Sequence, residues 1–238
     1  MKPPAPRSTR SLIDDQIRRW EHQQQERTAA GPAQEEHWPV ITISREFGSL
    51  GAHVGQLAAE QLDFTFWDQE LVTTIAAQTG AQETLLASLD ERTRTKVDEF
   101  VANIVVGAGG TAAEYVREVA RVVRTLDRQG GAVVVGRGAQ FILGPQRALR
   151  VRVVCPRQLR VKGYGEREGL SAREAERTVD DLERQRHEFI RRHYQQDIAD
   201  PSNYDVAIST GALSHDAAAH IVVASYRAKF GRLPPRRA

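Results

Sequence analysis

Short apolar runs alternate with longer amphipathic segments along most of the chain. Five runs predict strands, and three of these are apolar at almost every position, as is typical of strands covered on both faces of a parallel sheet. The predicted strands cover residues 39–44, 62–67, 131–136, 148–154 and 205–209. The segments between them have helical periodicity and cover residues 52–62, 69–79, about 82–129 and 157–195. This order predicts an α/β fold, a five-stranded parallel sheet with flanking crossover helices and a helical insertion after the second strand.

The last long helical segment divides into two helices at Gly169. The first covers residues 156–168 and the second runs from Ser171 to about His193, with Ser171 and Glu174 in the spacing of a capping box. Two helices joined at a glycine predict an arm that can close over a site.

The first 38 residues differ from the rest of the chain. Three early prolines, Pro3, Pro4 and Pro6, predict a disordered end, and residues 11–28 predict an amphipathic helix. Its apolar stripe is narrow and consists of Ile13, Ile17 and Trp20. This helix packs either on its own domain or on a protein partner or second subunit, and the sequence leaves both open. We expect residues 39–230 to form one domain and residues 231–238 a basic tail.

Composition and charge narrow the function classes. The 238 residues carry 33 Lys and Arg against 31 Asp and Glu, so the net charge of +2 indicates neither a nucleic-acid partner nor an anionic membrane. Residues 147–193 are more basic, which favours a local anion site. A single cysteine, Cys155, excludes an intrachain disulfide, and the polar N-terminus has no signal-peptide core, so we expect a cytoplasmic protein.

A glycine-containing loop follows the first predicted strand and leads into a helix. Such a loop lets the backbone approach an anion, and the unpaired N–H groups of the helix's first turn add partial positive charge. The loop of phosphate-binding proteins ends in Gly-Lys-Ser/Thr, whereas this chain reads Leu50-Gly51-Ala52-His53. The sequence therefore predicts a phosphate cradle without its usual lysine and hydroxyl.

Arginines are frequent on the predicted arm and near the strand ends. They are Arg137, Arg152, Arg160, Arg167, Arg184 and Arg191. The planar guanidinium group suits phosphate, and a phosphate loop beside an arginine-bearing arm is the combination that phosphoryl transfer needs. Each single arginine has an alternative interpretation as part of a solvated helix face with glutamate partners.

The acidic and histidine candidates are weaker. Asp68 follows the second strand and either binds a ribose or a metal-bound water, or caps the next helix. The histidines have no pair at ligand spacing, so the sequence predicts no metal site formed by protein side chains.

Six motifs together resemble the cytidylate kinase-like family of P-loop proteins, in the family's order and spacing. They lie at residues 41–51, 66–71, 133–139, 149–154, 168–171 and 200–205. The resemblance covers about residues 39–225. It implies a nucleoside-monophosphate-kinase fold with a helical insertion that binds the monophosphate and an arginine-bearing helical lid.

The resemblance also implies a reaction and roles for residues. ATP, with magnesium bridging its phosphates, would phosphorylate CMP or dCMP. The donor phosphates would be held by Ser44, Arg45, Gly48, Ser49, Gly51 and His53. The catalytic arginines would be Arg45, Arg160, Arg167 and Arg184, with Arg45 or a lid arginine replacing the missing lysine. The acceptor would be bound by Asp68, Arg137 and Arg191.

The chain departs from the enzymes of this family at several positions. Leu50 replaces a family glycine, Ala52 stands where many relatives carry Arg or His, and Gly138 replaces an aspartate of the true cytidylate kinases. Two hypotheses follow. The protein is a nucleoside monophosphate kinase with a degenerate loop, or it is a nucleotide-binding regulatory protein with little or no turnover.

Overall fold

The computed structural model describes residues 37–77 and 111–234, together with single positions at 18, 22, 95, 97, 98 and 101. The strands are β1 (Val40–Arg45), β2 (Thr65–Trp67), β3 (Ala132–Val135), β4 (Ala148–Val154) and β5 (Val206–Ser209). The helices are α1 (Gly51–Leu62), α2 (Gln69–Ala77), α3 (Thr111–Gln129), α4 (Ala139–Leu143), α5 (Arg157–Glu168), α6 (Ala172–Tyr194) and α7 (His215–Phe230). A short 3₁₀ helix covers Pro201–Asn203.

The strands form one parallel sheet in the order β2-β3-β1-β4-β5. This confirms the predicted fold class, and each strand overlaps its predicted range. The three central strands are the apolar runs, because their two faces are both covered by helices.

The core has one layer on each face of the sheet. On one face, α2, α3 and α4 pack over side chains such as Val40, Trp67 and Val134. On the other face, α1 and α7 pack over Ile43 and Val151. Adjacent residues of β1 therefore belong to opposite layers, and the same alternation places Ser44 on the first face and Arg45 on the second.

The two helices of the arm are α5 and α6. Helix α5 ends at Gly169, whose φ of 67° closes the turn, and α6 begins with the predicted capping box, in which the Ser171 hydroxyl accepts from the Glu174 N–H. The Arg157 guanidinium joins the helices through Glu176 at 2.7 Å and Asp180 at 2.6 Å. Because the strands are parallel, the arm and the loop after β1 start at the same edge of the sheet.

Some predictions lie largely or wholly outside the described residues. They are the N-terminal helix at 11–28, of which only Arg18 and His22 are described, the insertion between residues 78 and 110, and the end of the basic tail. Among the helices that are described, none is long and apolar enough to cross a membrane.

Candidate functional site

Three residues shape the backbone of the loop after β1: Gly48, Leu50 and Gly51. Leu50 is the N-cap of α1 and has a left-handed backbone with a φ of 56°. Its hydrocarbon side chain has no acceptor for the first N–H groups of the helix. Gly48 has a φ of 83° and lies against Arg160, which a Cβ there would approach to 3.0 Å. Gly51 lies between Arg45 and Val153, where a Cβ would come within 2.6 and 2.9 Å. The loop therefore brings the start of α1, with its partial positive charge, to the carboxyl edge of the sheet.

Arg45, the last residue of β1, is enclosed by other cationic side chains. Its Nη2 donates to Gln69 Oε1 at 2.8 Å. Its Nη1 lies so close to Gly136 that a Cβ on this residue would be only 2.5 Å from it. Burial, followed by the charges of Arg186 and Arg137, lowers the pKa of Arg45 to about 9. A buried cation repelled by its neighbours binds an anion favourably, because the anion removes the repulsion.

Arg152 on β4 pairs with Ser44 across the sheet. The two residues are register partners, so their side chains lie on the same face, and Arg152 Nη1 donates to Ser44 Oγ at 2.9 Å. The Tyr204 hydroxyl donates to the same oxygen at 3.2 Å. Ser44 thus holds a buried arginine in place at the edge of the loop.

Arg160, at the first turn of α5, is bound to the loop backbone. Its Nε donates to the Cys155 carbonyl at 2.8 Å and its Nη1 to the Phe47 carbonyl at 3.1 Å. The Glu46 carboxylate lies 3.4 Å from Arg160 Nε and accepts from the Cys155 N–H at 2.8 Å. These bonds fix the outer wall of the loop.

Helix α6 contributes two residues that the sequence analysis did not select, Glu183 and Arg186. Glu183 Oε2 accepts from the Phe47 N–H at 2.7 Å. Arg186 Nη1 donates to the Arg45 carbonyl at 3.2 Å, and its guanidinium lies 5.2 Å from the centre of the Phe47 ring. Burial lowers the pKa of Arg186.

A sequence signal for both residues was available. The buried side chains of α6 include Val179 and Ile190. Glu183 and Arg186 continue this stripe at helical spacing, and charged residues on a buried stripe indicate a site more strongly than charged residues on a solvent face.

Arg137 follows β3 and has a left-handed backbone with a φ of 55°. Its guanidinium lies 5.9 Å from the centre of the Tyr115 ring and 5.6 Å from that of Phe189. Its buried Nε has no hydrogen-bond partner among the described residues. Next to it, a Cβ on Gly138 would stand 2.2 Å from the Tyr194 ring, so no larger side chain fits at this position unless the ring moves.

The remaining predicted site residues lie elsewhere. Arg167 and Arg184 are exposed and pair with Glu168 and Asp181. Arg184 and Arg191 line a polar cleft of about 740 Å³ with His187, Glu188, Gln195, Gln196 and Asp197.

Three other predicted residues lie on α1, in the loop and at the start of α2. His53 is exposed on α1 and packs against His215. Ser49 donates to the Glu46 carbonyl at 2.9 Å. Asp68 stands at the start of α2, where its carbonyl accepts from the Val72 N–H at 3.1 Å.

The arrangement as a whole is cationic. Around the loop, in the part of the chain that the structure describes, five guanidinium groups meet two carboxylates, Glu46 and Glu183. No group of three potential metal ligands occurs among the described residues. The excess of guanidinium groups over carboxylates fits the phosphates of a nucleotide, and its positive charge disfavours a magnesium ion held by these side chains.

The parallel sheet, the loop after its first strand and the helical arm define a P-loop kinase fold. Within this class, the chain belongs to the cytidylate kinase-like family, whose model matches residues 40–212.

Comparisons with individual proteins are more distant. The crystal structure of an uncharacterized protein from Eubacterium ventriosum has a TM-score of 0.62 at 21% identity, over 80% of this chain and 98% of that chain. A shikimate kinase from Acinetobacter baumannii in complex with shikimate has a TM-score of 0.47 at 16% identity, over 83% and 97%. A uronate isomerase from Corynebacterium glutamicum is 30% identical over 101 residues, 42% of this chain. The chain spans about a fifth of that protein's length (20%).

Proposed function

We propose that this protein transfers a phosphoryl group from ATP to CMP or dCMP. The observation that carries the proposal is the convergence of Arg45, Arg152 and Arg186 on the loop after β1. Three separate elements, β1, β4 and α6, supply these side chains, although their repulsion destabilises the unliganded fold. Membership of the cytidylate kinase-like family supports the reaction class.

The donor phosphates bind at the loop in this proposal. The N–H groups at the start of α1 and the close approach allowed by Gly48 and Gly51 suit a polyphosphate. Ser44, Ser49 and His53 flank this position. Arg45 takes the role of the missing loop lysine, because its buried guanidinium lies beside the loop and is repelled by Arg186 and Arg137.

The acceptor binds next to the loop in this proposal, at Arg137. The guanidinium of Arg137 lies 5.9 Å from the centre of the Tyr115 ring and 5.6 Å from that of Phe189, and its buried Nε has no hydrogen-bond partner among the described residues. The cleft lined by Arg184 and Arg191 provides the second part of the acceptor site. His187 links the cleft to the loop, since its Nε2 lies 3.5 Å from Glu183 Oε1. Asp68 binds the ribose of the acceptor in this assignment.

The chemistry requires positioning and charge neutralisation. An acceptor phosphate oxygen forms a bond to the terminal phosphorus of ATP while the bond from that phosphorus to the bridging oxygen breaks, which leaves ADP. Arg45, Arg160 and Arg186 stabilise the charge of the phosphoryl group during transfer, and Arg167 and Arg184 assist from the arm. Magnesium, when present, enters with ATP as part of the substrate.

A coupled assay with ATP and magnesium against CMP, dCMP, UMP and AMP tests this function. We expect turnover that prefers CMP or dCMP, and we expect Arg186→Met to lower kcat by on the order of 10²–10³. Arg177→Met, which removes an exposed arginine from the same helix, is the matched control and should leave kcat unchanged. Equal loss in both variants, or no turnover with any acceptor, would contradict the kinase assignment.

A second candidate is a nucleotide-binding regulatory protein. Two observations favour it: the loop lacks its lysine, and a carboxylate of the arm already accepts a hydrogen bond from a loop N–H. Calorimetric binding of ATP without turnover in the same sample would support this candidate. For either function we place the protein in the cytoplasm, since its single cysteine suits a reducing compartment.

A further inference from the structure

The Glu183 carboxylate stands where an anion would bind to the loop. Its Oε2 accepts from the Phe47 N–H at 2.7 Å, and this N–H belongs to the loop that cradles phosphate. The same oxygen lies 3.9 Å from Arg160 Nη1, and Oε1 lies 3.8 Å from Arg152 Nη2. A negative group from the arm is thus surrounded by the donors that a phosphate would use.

The Glu183 side chain is largely buried, but its carboxylate makes few close contacts. The two arginine distances are beyond hydrogen-bond range. Oε1 lies 3.5 Å from His187 Nε2 and has no hydrogen-bond partner among the described residues. Glu183 therefore makes one strong bond and several weak electrostatic contacts. A terminal phosphate carries more charge and more acceptor oxygens than a carboxylate, so it can satisfy the same donors better.

We propose that Glu183 is an internal competitor of the nucleotide triphosphate group, which must displace the carboxylate from the Phe47 N–H in order to bind. This inference rests on the proposed function, because it concerns the regulation of the same phosphate site. Since Glu183 belongs to α6, filling of the loop is communicated directly to the arm. The contact is autoinhibitory, and it lowers the affinity of the empty site for any polyphosphate.

Binding of inorganic tripolyphosphate, measured by calorimetry on the full chain, tests the competition. Glu183→Gln weakens the bond to the Phe47 N–H by removing its charge, and we expect about tenfold tighter binding than in the wild type. Glu166→Gln removes the same charge from an exposed position on α5, with 68% of its side chain exposed, and should bind within about twofold of the wild type.

A second variant separates occupation of the site from the loss of negative charge. Glu183→Asp keeps the charge but is one methylene shorter, so the carboxylate retracts from the Phe47 N–H. We expect tighter binding than in the wild type here as well, by a smaller factor. This variant also carries the test if Glu183→Gln does not fold, which circular dichroism and thermal melting will show.

Three outcomes would overturn the inference. Unchanged or weaker binding in folded Glu183→Gln would mean that the carboxylate positions the site and does not compete for it. Tighter binding in Glu183→Gln with wild-type affinity in Glu183→Asp would assign the effect to charge alone. Absence of tripolyphosphate binding in every protein would overturn the proposed function, and this inference with it.

Discussion

At the scale of single residues, Gly136 determines where the Arg45 guanidinium can lie. A Cβ at Gly136 would stand 2.5 Å from Arg45 Nη1, whereas a Cβ at Gly231, the C-cap of α7, would meet nothing within 4 Å. Both glycines have a positive φ, of 82° and 75°. Alanine at either position is therefore strained by the backbone, but only the substitution at Gly136 displaces the guanidinium.

We predict that Gly136→Ala abolishes or strongly weakens ATP binding, while Gly231→Ala binds normally. Each variant should lose about 1–2 kcal/mol of stability because alanine disfavours a positive φ. Calorimetric binding together with thermal melting of both variants measures this. If both variants bind equally well, Arg45 does not hold the nucleotide.

Leu50 shows that the loop makes its turn without a glycine at this position. It adopts the left-handed conformation that a glycine takes without strain, with a φ of 56°. The cost is local strain of roughly 1–2 kcal/mol, which the surrounding contacts must offset.

At the scale of elements, α6 forms one wall of the loop site and one half of the arm. Its buried stripe carries Glu183 and Arg186 into the loop, while Tyr194 near its end donates to the Arg137 carbonyl at 2.6 Å. Its first turn is held by the capping box of Ser171 and Glu174. The stability of this turn and the position of the site residues are separable, because they lie three turns apart.

We predict that Ser171→Ala frays the first turn of α6 without unfolding the site. Loss of the cap costs about 1 kcal/mol and should speed amide exchange in residues 172–175 about fivefold. Hydrogen exchange followed by mass spectrometry provides the measurement. Ser214→Ala, which removes the N-cap hydroxyl of α7, is the control and should speed exchange at the start of α7 only.

Unchanged exchange in residues 172–175 would show that the Arg157 contacts to Glu176 and Asp180 hold this turn by themselves.

At the scale of the whole molecule, the site depends on charge brought together by four parts of the chain. Arg45, Arg137, Arg152 and Arg186 come from β1, the loop after β3, β4 and α6, and Glu183 offsets them only in part. This repulsion, together with burial, lowers the pKa of Arg45 to about 9. The fold holds the arginines close because its two apolar layers supply the stability.

The lowered pKa predicts how anion binding depends on pH. An anion binds the charged form of Arg45, which predominates below about pH 8, makes up half of the population near pH 9 and is lost above it. We therefore expect ATP affinity to be nearly constant between about pH 7.5 and 8 and to be about tenfold weaker at pH 10. Calorimetry across this pH range measures the loss of ATP affinity, which we expect to be absent in Arg45→Met. A loss of affinity that persists in Arg45→Met would be caused by the titration of another group.

Most of the fold could be predicted from the sequence because its signals are local. Apolar runs such as residues 131–136 indicate buried strands, and the capping box at Ser171 marks the start of α6. Both depend on residues close together in the chain. The shortest strand was the least well bounded: β2 begins at Thr65, three residues after its predicted start, because Asp63 ends α1 in the left-handed conformation.

The candidate site was predictable only in part. Residues of the loop itself, such as Arg45 and Gly48, follow from the motif. The arginines of the arm cannot be told apart by residue type, and their spacing in α5 and α6 does not show which of them face the loop. Arg160 is buried against the loop, whereas Arg167, two turns further along the same helix, is exposed.

By itself, the sequence determined the parallel α/β class, the loop after β1 and the family, because periodicity and motif spacing are properties of short segments. Only the tertiary structure decided which charges meet. The strand order places β3 and β4 on either side of β1, and so brings Arg137 and Arg152 close to Arg45. Arg152 is more than a hundred residues away from Arg45 along the chain. The packing of α6 then selects Arg186 and Glu183 over Arg184, because a helix turns only one of its faces to the loop.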